Sequence, residues 1–132
     1  MRKQISVCVS PCFCTTIYTN YHKSGLLNFI LVMENKKQEL IEMGAKTVLV
    51  PGNLPIGCSA AYLTLYHSFD NTYYDNLTGC LLQFNKFSEY HNELLVTKLN
   101  QIRELHPNAN IMYADYYNAA MQFFRSPKKY GT

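Results

Sequence analysis

Hydrophobic residues recur at helical spacing in two stretches of the chain. Over residues 26–43 they fall near one face of a helix, and Gly44 is placed to end it, because glycine adopts the left-handed conformation of a helix C-terminus without steric cost. Over residues 81–105 they recur again every three or four positions, and Pro107 stops the pattern because the residue before a proline avoids helical backbone. The second apolar face comprises Phe84, Phe87, His91, Leu94, Leu95, Ile102 and Leu105. The pattern predicts two helices, 26–43 and 81–105.

Two short apolar runs predict strands on either side of the second helix. Thr47–Val50 is apolar on both faces, which is typical of a central parallel strand, and Pro51 should end it because proline cannot donate a ladder hydrogen bond. Asn110–Ala114 predicts the second strand, and Asp115 is placed to cap a helix over 116–125. Two strands joined by a long helix predict a right-handed parallel crossover. The fold class is therefore α/β.

The rest of the chain predicts little regular structure. Residues 62–79 have no sustained period and predict a long loop, rich in Tyr, Asn and Asp. Residues 1–25 show no period either, and we expect a poorly ordered N-terminal segment followed by an α/β domain over 26–132. Doubly covered sheets usually have four to six strands. We therefore expect this domain to be an incomplete part of a layered α/β sheet.

Composition narrows the classes of protein. With 48% hydrophobic residues the 132-residue chain can bury a core, and with a net charge of +3 spread over scattered Lys and Arg it lacks a nucleic-acid-binding footprint. No apolar run approaches the roughly 20 residues of a membrane span. The amino terminus has a basic start, but Pro11 and a short, polar-broken apolar stretch do not make a convincing signal peptide.

Two of the five cysteines bracket the predicted loop. Cys58 and Cys80 are candidates for a disulfide, and two free thiols are the alternative. Asn76, in Asn-Leu-Thr, is a candidate N-glycosylation acceptor, which has meaning only in a secreted chain. A disulfide and a glycosylated asparagine would both indicate a secreted chain.

Candidate catalytic residues are isolated from one another in the sequence. Ser59, in Gly-Cys-Ser-Ala-Ala, imitates a nucleophile elbow but lacks the second glycine and lies nine residues past Val50. We therefore expect a loop or helix-cap serine. His91 falls on an apolar helix face, which predicts a hydrogen-bonded core histidine. His106 suits a helix C-terminus, where a positive charge is favoured. Of the four histidines, only His67, in the Tyr-rich loop, is placed where it could line a pocket. These residues predict no catalytic set.

One group of residues near the amino terminus resembles a set of zinc ligands. Its C-x₃-C-x-C spacing is not that of a standard zinc knuckle, so we predict no metal site, and a small metal-binding protein is a third, weaker hypothesis. The group consists of Cys8, Cys12, Cys14 and His22.

Three longer stretches identify a family resemblance. "LIEMGAKTVLVPGNLPIGCSAAYLTLY", "YYDNLTGCLLQFNKFSEYHNELL" and "YADYYNAAMQFFRSPKKYG" resemble consecutive middle blocks of the plant GDSL-type esterase/lipase family, from about Gln38 to Thr132. The resemblance implies a flavodoxin-like three-layer α/β/α sandwich, the SGNH hydrolase fold, and hydrolysis of carboxylic esters without a metal or organic cofactor. It also implies secretion and a small-molecule or lipid ester as the substrate, from acyl lipids to phenolic choline esters.

The catalytic blocks of that family do not occur in the chain. The family's nucleophile lies in a G-D-S block, its base in a D-x-x-H block and an oxyanion donor in a G-x-N-D block, and none of these is present. We therefore assign no catalytic residue and expect negligible esterase activity of these residues alone. The leading hypothesis is a fragment of a secreted ester hydrolase. The alternative is a non-catalytic α/β binding or interaction module with the Tyr-rich loop as its contact surface.

The loop after the first predicted strand is the candidate substrate wall. Pro51 and Gly52 turn the chain off the carboxyl end of the strand, which is the edge where ligands bind in parallel sheets. The residues expected to line a cleft there are Asn53, Leu54, Pro55 and Ile56.

Overall fold

The computed structural model describes residues 39–131. The predicted N-terminal segment 1–25 and the predicted helical residues 26–38 lie outside the described residues, as do Thr132 and the cysteines before Cys58. Within the described part the fold is α/β, as predicted, with a parallel two-stranded sheet and helices.

The described residues fall into two compact units, residues 39–51 with 93–114 and residues 52–92 with 115–131. The strands are β1, Thr47–Pro51, and β2, Asn110–Ala114. The α-helices are α1, Ala60–Leu65, α2, Leu82–Leu105, and α3, Tyr116–Arg125. Short 3-10 helices cover Ile56–Cys58, Asn71–Tyr73 and Pro127–Lys129.

Residues 39–42 of the first unit are helical. Gly44 has a φ of 97°, and its N–H donates to the carbonyl of Ile41 at 2.9 Å, while the N–H of Ala45 donates to the carbonyl of Leu40 at 3.0 Å. This pair of bonds is the Schellman motif, in which glycine takes the left-handed position. The predicted role of Gly44 is confirmed.

The sheet of the first unit is parallel, with Val48 opposite Ile111 in the register of β1 and β2. One face packs on a buried apolar core, whose members are Ala45, Val48, Val50, Leu95, Leu99, Ile102 and Ile111. On the other face Leu49 and Met112 keep 37% and 41% of their surface. The prediction that β1 is covered on both faces therefore holds for one face only in the part of the chain described.

The second unit contains regular structure where the sequence predicted a loop over 62–79. Helix α1 and the 3-10 helix at Asn71–Tyr73 occupy parts of this stretch, so the predicted loop is confined to residues 66–70 and 74–79. Aromatic contacts support α1, since Tyr62 is buried edge-on against Phe84 at 4.9 Å between ring centroids and Tyr66 lies 4.7 Å from the same ring. A six-residue helix shows too few turns for its period to be read from sequence.

Helix α3 begins and ends as predicted. The Asp115 side chain accepts a hydrogen bond from the N–H of Asn118 at 3.0 Å, which is the predicted cap. Tyr117 and Met121, one helical turn apart, are buried. The cap fixes where α3 starts and thereby which of its residues face the interior.

Helix α2 ends at Leu105, as predicted, and begins one residue later than predicted. Leu81 forms an isolated bridge with Tyr74 and is not helical, and Leu105 is 68% exposed, so its place on the apolar face was wrong. Three polar residues occupy buried positions of the helix, which the apolar pattern did not predict. They are Asn85, Ser88 and Asn92.

None of the helices among residues 39–131 has the length and apolar character needed to cross a membrane.

Candidate functional site: the loop after β1

The loop of residues 52–58 follows β1 and belongs to the second unit. Of the predicted lining residues, Pro55 is buried, Asn53 and Ile56 are half-buried, and Leu54 is 39% exposed. The loop therefore offers a mainly apolar side chain surface at Leu54 and Ile56, while its backbone faces polar groups of the protein.

Asn92 of α2 holds the backbone of Asn53 from both sides. The N–H of Asn53 donates to the Asn92 side-chain oxygen at 2.7 Å, and the Asn92 side-chain nitrogen donates to the carbonyl of Asn53 at 3.0 Å. Asn92 is only 7% exposed, so these bonds satisfy groups that would otherwise be buried without partners. The side-chain amide of Asn92 thus bonds both backbone groups of Asn53, as a neighbouring β-strand would.

Asn85, two helical turns earlier, holds the other end of the loop. Its side-chain oxygen accepts a buried hydrogen bond from the N–H of Gly57 at 2.9 Å, and the N–H of Leu81 donates to the carbonyl of Gly57 at 2.9 Å. Gly57 is required here because a Cβ at this position would overlap the carbonyl oxygen of Leu81 and lie 2.8 Å from the Asn85 side-chain oxygen. The close approach of loop and helix depends on the missing side chain.

Ser88 lies between these two asparagines on the same face of α2 and has no exposed surface. Its hydroxyl is buried without a hydrogen-bond partner among the described residues. Buried polar atoms normally have hydrogen-bond partners, so the Ser88 hydroxyl is an exception to this rule. We refer to Asn85, Ser88 and Asn92 as the polar stripe.

The polar stripe was missed because polar residues in an amphipathic helix are assigned to solvent. Its members nevertheless follow the three- and four-residue spacing of the buried face, at positions 85, 88 and 92. Polar residues that recur at the same helical positions as the buried apolar residues are the signal that could have identified the stripe.

A disulfide joins the loop to the segment before α2. Cys58 and Cys80 are bonded, and they are 7% and 1% exposed. Met121 of α3 packs on the bridge, with 3.9 Å between its sulfur and that of Cys58. Tyr117 completes the same buried cluster. The 3-10 turn at the end of the loop is therefore held covalently and by apolar packing.

Tyr117 also makes the strongest polar contact near this cluster. Its hydroxyl donates to a carboxylate oxygen of Glu89 at 2.6 Å. Burial, and then the hydrogen bond to Glu89, raise the pKa of the Tyr117 hydroxyl well above its usual range, so it remains a proton donor at neutral pH. This contact ties α3 to α2.

The remaining catalytic candidates do not form a catalytic set among residues 39–131. Ser59 precedes α1 as its N-cap residue and makes no side-chain capping bond. His67 is exposed and lies edge-on to Phe69 at 5.2 Å, and His91 is buried with Nδ1 3.4 Å from the Asn92 side-chain oxygen. His91 is thus a core residue, as predicted. No group of histidine, cysteine and acidic residues suited to a metal ion exists within residues 39–131, and the amino-terminal cysteine group lies outside them.

Known plant proteins contain sequences similar to this chain. The chain is 56% identical over 93 residues to a GDSL esterase/lipase of Arabidopsis thaliana, an alignment that covers 70% of this chain and 24% of that protein. It belongs to the plant GDSL esterase/lipase family. A second Arabidopsis GDSL esterase/lipase is 49% identical over 102 residues, covering 77% of the chain and 26% of the relative. Sinapine esterase of Brassica napus is 52% identical over 93 residues, covering 70% and 24%.

The GDSL resemblance covers only part of each relative. The chain spans about a quarter of the length of the curated proteins it matches. No family model matches the chain. The family implies the SGNH hydrolase fold, and the parallel strands and helices of the described residues agree with that α/β architecture.

Removing the Asn92 side chain should loosen the loop. For Asn92→Ala we expect a loss of about 2 kcal/mol in the free energy of unfolding, since both hydrogen bonds between the Asn92 side chain and the backbone of Asn53 disappear. Amide hydrogen exchange of residues 52–58, followed by mass spectrometry, should be faster than in the unsubstituted chain.

Asn100→Ala is the matched control, because Asn100 is an exposed residue of the same helix and its side-chain oxygen only accepts a hydrogen bond from Arg103 at the surface. We expect it to change stability by less than about 0.5 kcal/mol and to leave the loop's exchange unaltered. Equal exchange rates in the two variants would show that Asn92 does not hold the loop.

Proposed function

We propose that this chain forms part of a carboxylic ester hydrolase and supplies one wall of its substrate cleft. The observation that carries the proposal is the loop of residues 52–58, which leaves the carboxyl end of a parallel strand and is fixed through its backbone by Asn85 and Asn92. Ligands of open α/β sheets bind at that edge. The similarity to proteins named as esterases supplies the reaction class.

The chemistry of the loop suits the uncharged parts of an ester. Leu54 is partly exposed, Ile56 is half-buried, and neither residue has a charged neighbour within the loop sequence Gly52–Cys58. Such a surface favours an acyl chain or an aromatic acid by apolar burial. The proposed substrate is therefore a small-molecule or lipid ester, bound without a metal or organic cofactor.

In this proposal the chain contributes one wall of the substrate cleft, and other parts of the enzyme contribute the catalytic residues. The nucleophile, base and oxyanion blocks of the family do not occur in the 132 residues. Removing members of a catalytic triad costs about 10⁴-fold or more in rate even where the rest of the site is intact. We therefore expect the 132-residue chain alone to hydrolyse p-nitrophenyl esters no faster than a heat-killed sample of the same protein.

Segment exchange with sinapine esterase tests whether the wall is functional. The 93-residue segment of that enzyme that matches this chain is replaced by the corresponding segment of this chain, and ester hydrolysis of the secreted chimera is measured. We expect the chimera to retain activity within about tenfold, because the substituted wall positions act on binding and not on bond cleavage. A second chimera with Asn92→Ala should lose more, and the Asn100→Ala chimera should match the parent chimera.

Two results would count against the proposal. Hydrolysis by the 132-residue chain well above the heat-killed sample would show that it carries a catalytic set of its own. A chimera that is folded and secreted but inactive would instead favour the non-catalytic binding module.

We also propose that the chain matures in an oxidising compartment of the secretory route. The buried bridge between Cys58 and Cys80 supports this location, since stable disulfides form in such compartments and are rare in the cytosol.

A further inference from the structure

The segment that leads to Cys80 is a tight turn built around one carboxylate. Asp75 accepts from the hydroxyl of Thr78 at 2.6 Å, from the N–H of Thr78 at 2.8 Å and from the N–H of Leu77 at 3.2 Å. These bonds lower the pKa of the Asp75 carboxyl, the side-chain bond from Thr78 most of all, so the carboxylate is ionised at neutral pH. The backbone closes the same turn, since the N–H of Gly79 donates to the carbonyl of Asp75 at 2.8 Å.

Asn76 lies at the tip of this turn. Its side chain is exposed, and the next residue, Leu77, keeps 72% of its surface. Asn76-Leu77-Thr78 is the single Asn-x-Ser/Thr pattern in the 132 residues. A large polar group attached to the Asn76 amide would project into solvent and would displace nothing in the buried cluster around the disulfide.

We propose that Asn76 carries an N-linked oligosaccharide and that it is attached before Cys58 and Cys80 are joined. The donor is an oligosaccharide on a lipid pyrophosphate. The side-chain nitrogen of Asn76 forms a bond to the anomeric carbon, the bond from that carbon to the pyrophosphate oxygen breaks, the lipid pyrophosphate leaves, and the amide proton passes to a base of the transferase. The location rests on the proposed secretory maturation, and the modification itself is independent of ester hydrolysis.

The order of events follows from the hydroxyl of Thr78. A transferase that selects threonine at the third position must contact that side chain, but in the folded turn its hydroxyl already donates to Asp75. Cys80 lies two residues further on and is 1% exposed, and the N–H of Asp75 donates to its carbonyl at 2.8 Å. The bridge to Cys58 therefore fixes the turn in the form in which the Thr78 hydroxyl is bonded to Asp75 and unavailable to the transferase. The extended chain before oxidation presents the acceptor freely.

The first test is glycan occupancy of the full chain, expressed behind a secretory signal in insect cells. Treatment with peptide N-glycosidase should increase the mobility of the secreted chain, and mass spectrometry should place the converted aspartate at position 76. Asn76→Gln and Thr78→Ala should each abolish the shift. Asn71→Gln, an exposed asparagine outside any acceptor pattern, should leave it unchanged.

The second test separates the order of events. Purified chain is offered to detergent-solubilised microsomes that contain the transferase and its lipid-linked donor, either with the Cys58–Cys80 bridge formed or as the Cys58→Ser/Cys80→Ser variant. We expect occupancy of the variant to be at least fivefold that of the oxidised chain. Equal occupancy would overturn the order, and a secreted, disulfide-bonded chain without glycan would overturn the site. That last result would leave the proposed hydrolase role intact, because the segment exchange measures it separately.

Discussion

Replacing Cys58 and Cys80 together by alanine is expected to lower the free energy of unfolding by roughly 3 kcal/mol. The bridge closes a loop of 22 residues, and a cross-link of that span removes about this much conformational entropy from the unfolded chain. The loss is large because a domain's net stability is only about 5–15 kcal/mol. Urea unfolding followed by far-ultraviolet circular dichroism measures the change.

Reduction supplies the internal control for this variant. A reductant should lower the stability of the unsubstituted chain toward that of the double variant and should leave the variant unaffected. The disulfide would have no stabilising role if both proteins unfolded at the same urea concentration under oxidising conditions. Both cysteines are replaced together because a single substitution would leave the other cysteine as an unpaired thiol.

The second large effect is expected at Gly57. Gly57→Ala should cost about 3 kcal/mol, since the new methyl group overlaps the backbone carbonyl of Leu81, which cannot rotate away as a flexible side chain would. The variant should also lose the hydrogen bond from residue 57 to Asn85, because loop and helix must separate to admit the methyl group. Unfolding in urea and amide exchange over residues 52–58 are the measurements.

Gly79→Ala is the matched control for that substitution. Gly79 belongs to the same unit, and a Cβ there would meet no atom within 4 Å, but its φ is 69°. The expected cost is about 1–2 kcal/mol from the left-handed conformation alone. A Gly57→Ala variant no less stable than Gly79→Ala would contradict the close packing of the loop on α2.

The elements that the sequence predicted correctly are those with local signals. The strand Asn110–Ala114 and the helix that follows it depend on a short apolar run and on Asp115, whose cap can be read within four residues. The helix end at Gly44 is likewise local, since Gly44 bonds Ile41 three positions back and Ala45 bonds Leu40 five positions back. Such features need no knowledge of the distant chain.

The site depends on contacts that the sequence does not display locally. Asn53 and Asn92 are 39 positions apart, and Gly57 and Asn85 are 28 apart. A polar side chain in a helix ordinarily indicates solvent, and only the structure shows that these two asparagines are buried against backbone. The short helix α1 was missed for a related reason, since its stability depends on the Phe84 ring some twenty residues away.

Apart from a 3.5 Å contact between the Asn85 side-chain nitrogen and the Cys58 sulfur, the two asparagines bond main-chain atoms of the loop, the N–H and carbonyl of Asn53 and the N–H of Gly57. Every residue except proline offers the same N–H, so the path of the loop is largely independent of the side chains at Leu54 and Ile56. Mutation can therefore exchange those two residues without dismantling their support. The side chains of the proposed substrate wall can thus change while Asn85, Asn92 and Gly57 keep the loop in place.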